Sequence, residues 1–270
     1  MDRRNFFALA AAAMAAPPAS GAAPPERGRF IEEMTWPEVA AAIGGGATTA
    51  LLPTGGSEQN GPHMAIGKHN RIVRSCAGEI ARRHGAALVA PVIAYVPEGG
   101  FDPPTENMAY PGTLGLSEPV FGALLREGAR SLKLAGFRLV CFLGDHGLSQ
   151  RMQGEVARTL DRAWRREGVR VATLDRYYGG NGQADYLRAQ GFSPAEIGAH
   201  AGLLDTAELM GVAPDEVRTG LLAPKSWPRN SGAAGDPSRA TPALGRVLLE
   251  LKIAAGLAQL KEIEAAAARR

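Results

Sequence analysis

Short, nearly continuous apolar runs alternate along this chain with longer segments in which apolar residues return every three or four positions. Positions 47–53 (ATTALLP), 87–93 (ALVAPVI), 139–143 (LVCFL) and 169–174 (VRVATL) have strand length and little polar alternation, as strands buried on both faces do. Between them, 36–43, 70–84, 118–135 and 150–167 have helical length and periodicity. Strand and helix taking turns predict an α/β fold around a mainly parallel sheet. A closing helix is predicted over 242–267, where Leu244, Leu248, Leu251, Ala255 and Ala258 recur at helical spacing and read as a core or subunit-interface stripe. No internal repeat or second domain boundary interrupts this order. The Gly/Pro-rich segment 97–113 (PEGGFDPPTENMAYPGT) is longer than an ordinary connection and reads as a functional loop.

The first residues depart from that pattern. Arg3-Arg4-Asn5-Phe6-Phe7 precedes an apolar stretch at 8–16 that is too short to span a membrane. A twin-arginine signal peptide with a Pro-rich linker is therefore expected over 1–25, a mature domain over 26–270, and a periplasmic destination. Export in the folded state fits a protein that takes up its cofactor in the cytoplasm. At 270 residues, 45% apolar and 21% charged, the chain suits one large domain behind its leader, and no mature membrane span is expected. Its net charge of +3 comes with scattered arginines rather than a basic stripe, so nucleic acid is not an expected partner. Cys76 and Cys141 lie in apolar settings and read as buried thiols.

In open α/β sheets ligands gather beyond the carboxyl ends of the strands, and here those segments are rich in chemistry. The loop 54–70 (TGGSEQNGPHMAIGKHN) holds Glu58, His63 and His69, the turn 144–150 (GDHGLSQ) holds Asp145 and His146, and 199–209 (AHAGLLDTAEL) holds His200 and Asp205. Four of the five histidines thus fall in three strand-end or loop segments. Imidazoles and carboxylates converging without cysteine form the ligand set of a catalytic zinc, manganese or iron site. Such a set holds a divalent ion and leaves a position for water, whose pKa then falls to roughly 7. Backbone amides of the Gly55-Gly56-Ser57 turn offer a place for developing negative charge. Phe101, Tyr110, Trp227 and the stretch 176–180 (RYYGG) are candidate pocket aromatics, although such rings more often belong to a core or an interface.

The segment 53–63 (PTGGSEQNGPH) resembles the first signature of the creatininase family, roughly P-x-G-S-x-E-Q-H-G-P-H. Further matches follow in order: Tyr110-Pro111-Gly112-Thr113 for the F-P-G-T loop, Asp145-His146-Gly147 for N-G-H-G-G-N, His200-Ala201-Gly202 with Asp205-Thr206 for H-A-G-x-x-E-T, and Gly235-Asp236-Pro237 for the late G-D-P loop. The resemblance runs from about 30 to 255. It implies a three-layer α/β/α fold, one or two divalent metals per subunit, and a ring-like homo-oligomer, often a hexamer. It also implies hydrolysis of amide-type C–N bonds in small polar or cyclic molecules, with a short peptide as the substrate of one branch. Carried over by position, Glu58 and His146 are metal ligands, Asp205 stands for the glutamate of the H-A-G segment, and His200 is a proton-transfer residue beside the substrate.

This chain also departs from the pattern. Asn60 replaces a histidine, His69 stands where a metal-bridging aspartate is expected, Leu148 and Ser149 follow His146, and Asn107 replaces a histidine ahead of the F-P-G-T loop. A carboxylate bridges two ions, whereas a neutral imidazole offers one lone pair to one ion. A single ion held by Glu58, His69, His146 and Asp205 is therefore expected, zinc before manganese or iron. A dinuclear centre bridged by Asp205 or Asp145 is the alternative. Asp145 is a second proton-shuttle candidate, and Asn60, His63, Asn107 and Tyr110 are candidates for contacting substrate or orienting ligands. The expected function is metal-assisted hydrolysis of a small amide other than creatinine; the alternative is a binding protein that keeps the fold without turnover.

Overall fold

A computed structural model describes residues 29–268, so the expected leader over 1–25 lies outside the described residues. Four strands, β1 (Thr49–Thr54), β2 (Ala87–Val89), β3 (Leu139–Gly144) and β4 (Arg170–Thr173), form one parallel sheet in the order β2-β1-β3-β4. The helices are α1 (Trp36–Gly44), α2 (Lys68–His84), α3 (Glu118–Ala135), α4 (Gln150–Trp164), α5 (Asp175–Tyr178), α6 (Gln183–Ala189), α7 (Pro194–Ile197), α8 (Leu203–Val212) and α9 (Pro242–Ala268). The expected α/β architecture is present, and α3 begins and ends at the predicted residues.

Both faces of the sheet are buried, which is why its strands read as continuous apolar runs. Successive side chains alternate between faces. Ala50, Leu52, Val140 and Phe142 join Phe121 and Leu125 of α3 and Val156 and Leu160 of α4 on one side. Leu51, Cys141 and Leu143 join Ile72, Cys76 and Ile80 of α2 and Leu249, Ile253 and Leu260 of α9 on the other. The result is three layers, and both cysteines are free and buried, as expected. A third cluster, including Met64, Leu203, Leu209 and Leu248, packs α8 against α9 beneath the 54–70 loop.

Two details differ from the sequence-based expectation. Strand β2 stops at Val89 rather than 93. Pro91 has no N–H to give the ladder, although Ala90 and Ile93 still donate to the carbonyls of Leu51 and Pro53. On α9 the buried face runs through Leu248, Leu249, Lys252, Ile253 and Leu260, while Ala258 of the predicted stripe is exposed. The apolar pattern misplaces this face because a lysine lies in it. Among the described residues no helix is long and apolar enough to cross a membrane.

Candidate metal centre

Strand β1 leads through α2 to β2 on one side, and β3 leads through α4 to β4 on the other, so the strand order switches direction between β1 and β3. Side chains beyond those two strand ends open into the same crevice. Glu58 lies four residues past β1, Asp145 and His146 directly follow β3, and His69 sits in the first turn of α2. The fold therefore brings three distant segments to one point.

Glu58, His69 and His146 meet there, all buried, with one ligand atom from each within 4.8 Å of the others. Glu58 divides its carboxylate: Oε1 lies 2.7 Å from His69 Nε2, and Oε2 lies 3.0 Å from His146 Nε2. The opposite nitrogen of His69, Nδ1, lies 2.8 Å from Asp145 Oδ2. A neutral imidazole donates from one nitrogen only, so a neutral His69 that donates to Asp145 turns a lone pair toward Glu58. At 2.7 Å His69 Nε2 and Glu58 Oε1 are at hydrogen-bond distance, and with an ion bound both atoms would turn to it. This donor set fits a divalent metal ion.

The three residues and Lys68 form one buried charge cluster, in which a metal ion would take the place of the proton on His146. Burial pushes the Glu58 carboxyl up, but the Lys68 ammonium and the two imidazoles outweigh it and hold the group far below the usual carboxylate range. Burial lowers His146, while its contacts with Glu58 and then Glu98 win and raise it to about 9. Lys68 is fully buried, donating to Asp205 Oδ2 at 2.9 Å and standing 3.5 Å from Glu58 Oε1.

The structure distributes the other expected residues unevenly. Asp205 Oδ2 takes Lys68 Nζ and the Ala201 N–H, so its partner is an ammonium, and it is not one of the three convergent ligands. Asp145 is saturated behind His69, accepting from Tyr177 Oη at 2.7 Å and Lys252 Nζ at 2.7 Å. His200 reaches the centre: its Nε2 lies 2.8 Å from the Gln59 carbonyl and its Nδ1 3.7 Å from Glu58 Oε1. Asn107 Nδ2 bonds Glu58 Oε2 and, at 3.2 Å, Glu98 Oε2. Asn60 instead staples its own loop, donating to the carbonyls of Glu58, Ala65 and Ile66. His63 bonds Thr206 Oγ1 at 2.8 Å and stacks on Trp227, away from Glu58. Tyr110 is half-buried in the 97–113 loop, Phe101 is exposed, and Tyr177 is core.

Lys68 and Glu98 are the participants that motif reading misses. Lys68, beside His69, looks like an ordinary helix-surface lysine, and the only sequence signal for Glu98 is its place in the long loop.

The family model described as creatininase, creatinine amidohydrolase, matches residues 32–260. The chain belongs to the creatininase family. The mycofactocin precursor peptide peptidase of Mycolicibacterium smegmatis is 30% identical over 227 residues, covering 74% of this chain and 80% of that protein. A solved structure of the Mn form of creatininase superposes with a TM-score of 0.72 at 22% identity, covering 87% of this chain and 98% of that one. A variant creatininase of Zn-Zn type gives 0.69 at the same identity and coverage. The expected three-layer fold is therefore the creatininase fold, and membership makes this chain a metal-dependent amidohydrolase.

Proposed function

We propose that this protein is a one-metal amidohydrolase that cleaves an amide C–N bond of a small polar molecule, cyclic or a short peptide. The observation that carries the reading is the divided carboxylate of Glu58, which faces His69 with one oxygen and His146 with the other. A divalent ion held by these three residues supplies Lewis-acid activation of the carbonyl and of water. Zinc is the expected ion, with manganese and iron as alternatives, since related creatininase structures are of Mn and Zn-Zn form.

Lys68 supports a single ion. At about 4 Å and an effective dielectric of about 20, two unit charges interact by about 4 kcal/mol, and a dication beside an ammonium by about twice that. A second metal on the Lys68 side of Glu58 therefore meets strong repulsion, and Asn60, Leu148 and His69 remove the donors that would offset it.

His200 supplies the proton chemistry. Its Nε2 faces a carbonyl, which only accepts, so Nε2 carries the proton and Nδ1 keeps its lone pair on the Glu58 side. Burial and then the Lys68 charge lower its pKa, favouring the neutral ring. Nδ1 takes a proton from the attacking water and returns it to the leaving nitrogen. Asp145, with both oxygens occupied, positions His69 rather than shuttling protons. The mycobacterial relative is named for a peptide, which favours a peptide amide over the creatinine ring. The amino-terminal motif supports a periplasmic site of action, and the family resemblance supports a homo-oligomer such as a hexamer.

The test is hydrolysis of short peptides and cyclic amides by purified protein loaded with zinc or manganese. His200→Gln is expected to lower kcat by about 10²- to 10⁴-fold with metal content intact, and His146→Ala to abolish turnover. Unchanged hydrolysis by folded His146→Ala would sink the assignment. Tight metal binding without turnover on any amide would favour the binding-protein reading.

A further inference from the structure

Glu98 is fully buried, and among the described residues it has no lysine or arginine partner. Its Oε2 lies 3.1 Å from His146 Nε2 and 3.2 Å from Asn107 Nδ2, and its Oε1 has no hydrogen-bond partner. Two buried carboxylates, Glu58 and Glu98, thus aim at the same imidazole nitrogen. Such a pair repels unless positive charge lies between its members, and here one imidazole serves two carboxylates, leaving a net negative charge buried at this point.

The backbone is shaped to keep Glu98 there. A Cβ at Gly56 would lie 2.9 Å from Glu98 Oε1 and 3.4 Å from the His146 ring, and a Cβ at Gly115 would lie 3.0 Å from Glu98 Cβ. The Glu98 carbonyl accepts from the Met108 amide, and Val96 bridges Gly115, so both sides of the loop clamp its base. This cradle accommodates a carboxylate whose charged neighbour is the His146 imidazole, shared with Glu58, and whose second oxygen has no partner.

We propose that Glu98, which contacts His146 but lies outside the three convergent ligands, joins Glu58, His69 and His146 when a divalent cation is bound, giving a site of two carboxylates and two imidazoles around one ion. Two carboxylates balance the charge of a dication at a buried site, and a fifth position would remain for water. Asn107, bonded to both, holds them in register. The inference rests on the one-metal reading above and adds a ligand to it.

The experiment compares metal-stripped wild type, Glu98→Gln, Glu98→Asp and Glu58→Gln. Zinc affinity is read by competition with a chromophoric chelator, ligand geometry by the visible spectrum of the cobalt(II) form, and stability by the metal-induced rise in Tm. Glu98→Gln keeps the shape and is expected to bind zinc at least about 100-fold more weakly, with a shifted cobalt spectrum and a smaller Tm rise. Glu98→Asp is expected to fall between it and wild type, and carries the test if the Gln variant does not fold. Wild-type affinity and spectrum in either variant, with binding lost in Glu58→Gln, would overturn the Glu98 assignment alone. Wild type that binds no metal would overturn the one-metal reading and this proposal with it.

Discussion

His63 shows how a histidine in a chemistry-rich loop is used for folding. Its ring is buried, bonded to Thr206 and stacked on Trp227, with Nδ1 unpartnered. Burial, helped by the Lys68 charge, lowers it to about 4. The unfolded chain, with a histidine pKa of about 6.5, therefore binds this proton more readily than the folded one. Stability from His63 is complete above about pH 6.5 and is lost as pH falls toward 4, by on the order of 3 kcal/mol. His63→Gln retains a partner for Thr206 but cannot titrate, so its urea midpoint is expected to vary less between pH 7 and 4.5 than that of wild type. Parallel pH profiles would refute this. The same residue explains a limit of motif reading. Glu58, His146 and His200 are legible because their motifs survive, whereas His63 and Asp205 carry equally good motifs but spend their polar atoms on Thr206, Lys68 and the Ala201 amide. Glu98 has no motif at all; only the fold brings it to His146.

At the scale of elements, legibility followed burial. The central strands and α2 to α4 are long enough to show their periodicity, but α5 to α7 have four to seven residues each, too few for a pattern. Helix α9 was visible while its orientation was not, because Lys252 occupies the buried face. What sets that orientation is close backbone approach to α8. A Cβ at Gly245 would lie 1.8 Å from the Ala207 carbonyl oxygen, and one at Gly211 2.8 Å from Leu249 Cδ1. Gly245→Ala must push the two helices apart and is expected to cost at least about 1–3 kcal/mol. Gly44→Ala, at the end of α1 with nothing within 4 Å, is expected to be neutral or slightly stabilising. Equal urea midpoints for the two variants would show that the α8–α9 contact yields more easily than its geometry implies.

Across the whole molecule, α9 is tied to the metal centre by charge. Lys252 Nζ donates to Asp145 Oδ1 at 2.7 Å and to Glu208 Oε2 at 3.1 Å, and Asp145 in turn holds His69. Gln183 bonds Glu208, so α6, α8, α9 and the end of β3 share one buried network. Burial raises the Asp145 carboxyl, but Lys252 and His69 prevail and bring it to about 2, so the pair stays charged across the working range. Removing one member of a buried pair costs about 3–5 kcal/mol because its partners keep uncompensated charge. Lys252→Met is therefore expected to lower stability by that amount. It is also expected to weaken metal binding about 10- to 100-fold, since Asp145 no longer fixes the His69 ring. Lys261→Met, on the exposed side of α9, provides the control for losing a lysine. Ligand binding adds about 2.7 kcal/mol of stability at one hundred times Kd, so the two effects separate experimentally. Metal-free proteins report the network alone, and the increment on adding zinc reports the centre. If Lys252→Met loses stability but keeps the full zinc increment, the network supports the fold without reaching the metal. Loss of both would show that the carboxy-terminal helix, remote in sequence from every ligand, helps to set the geometry on which hydrolysis depends.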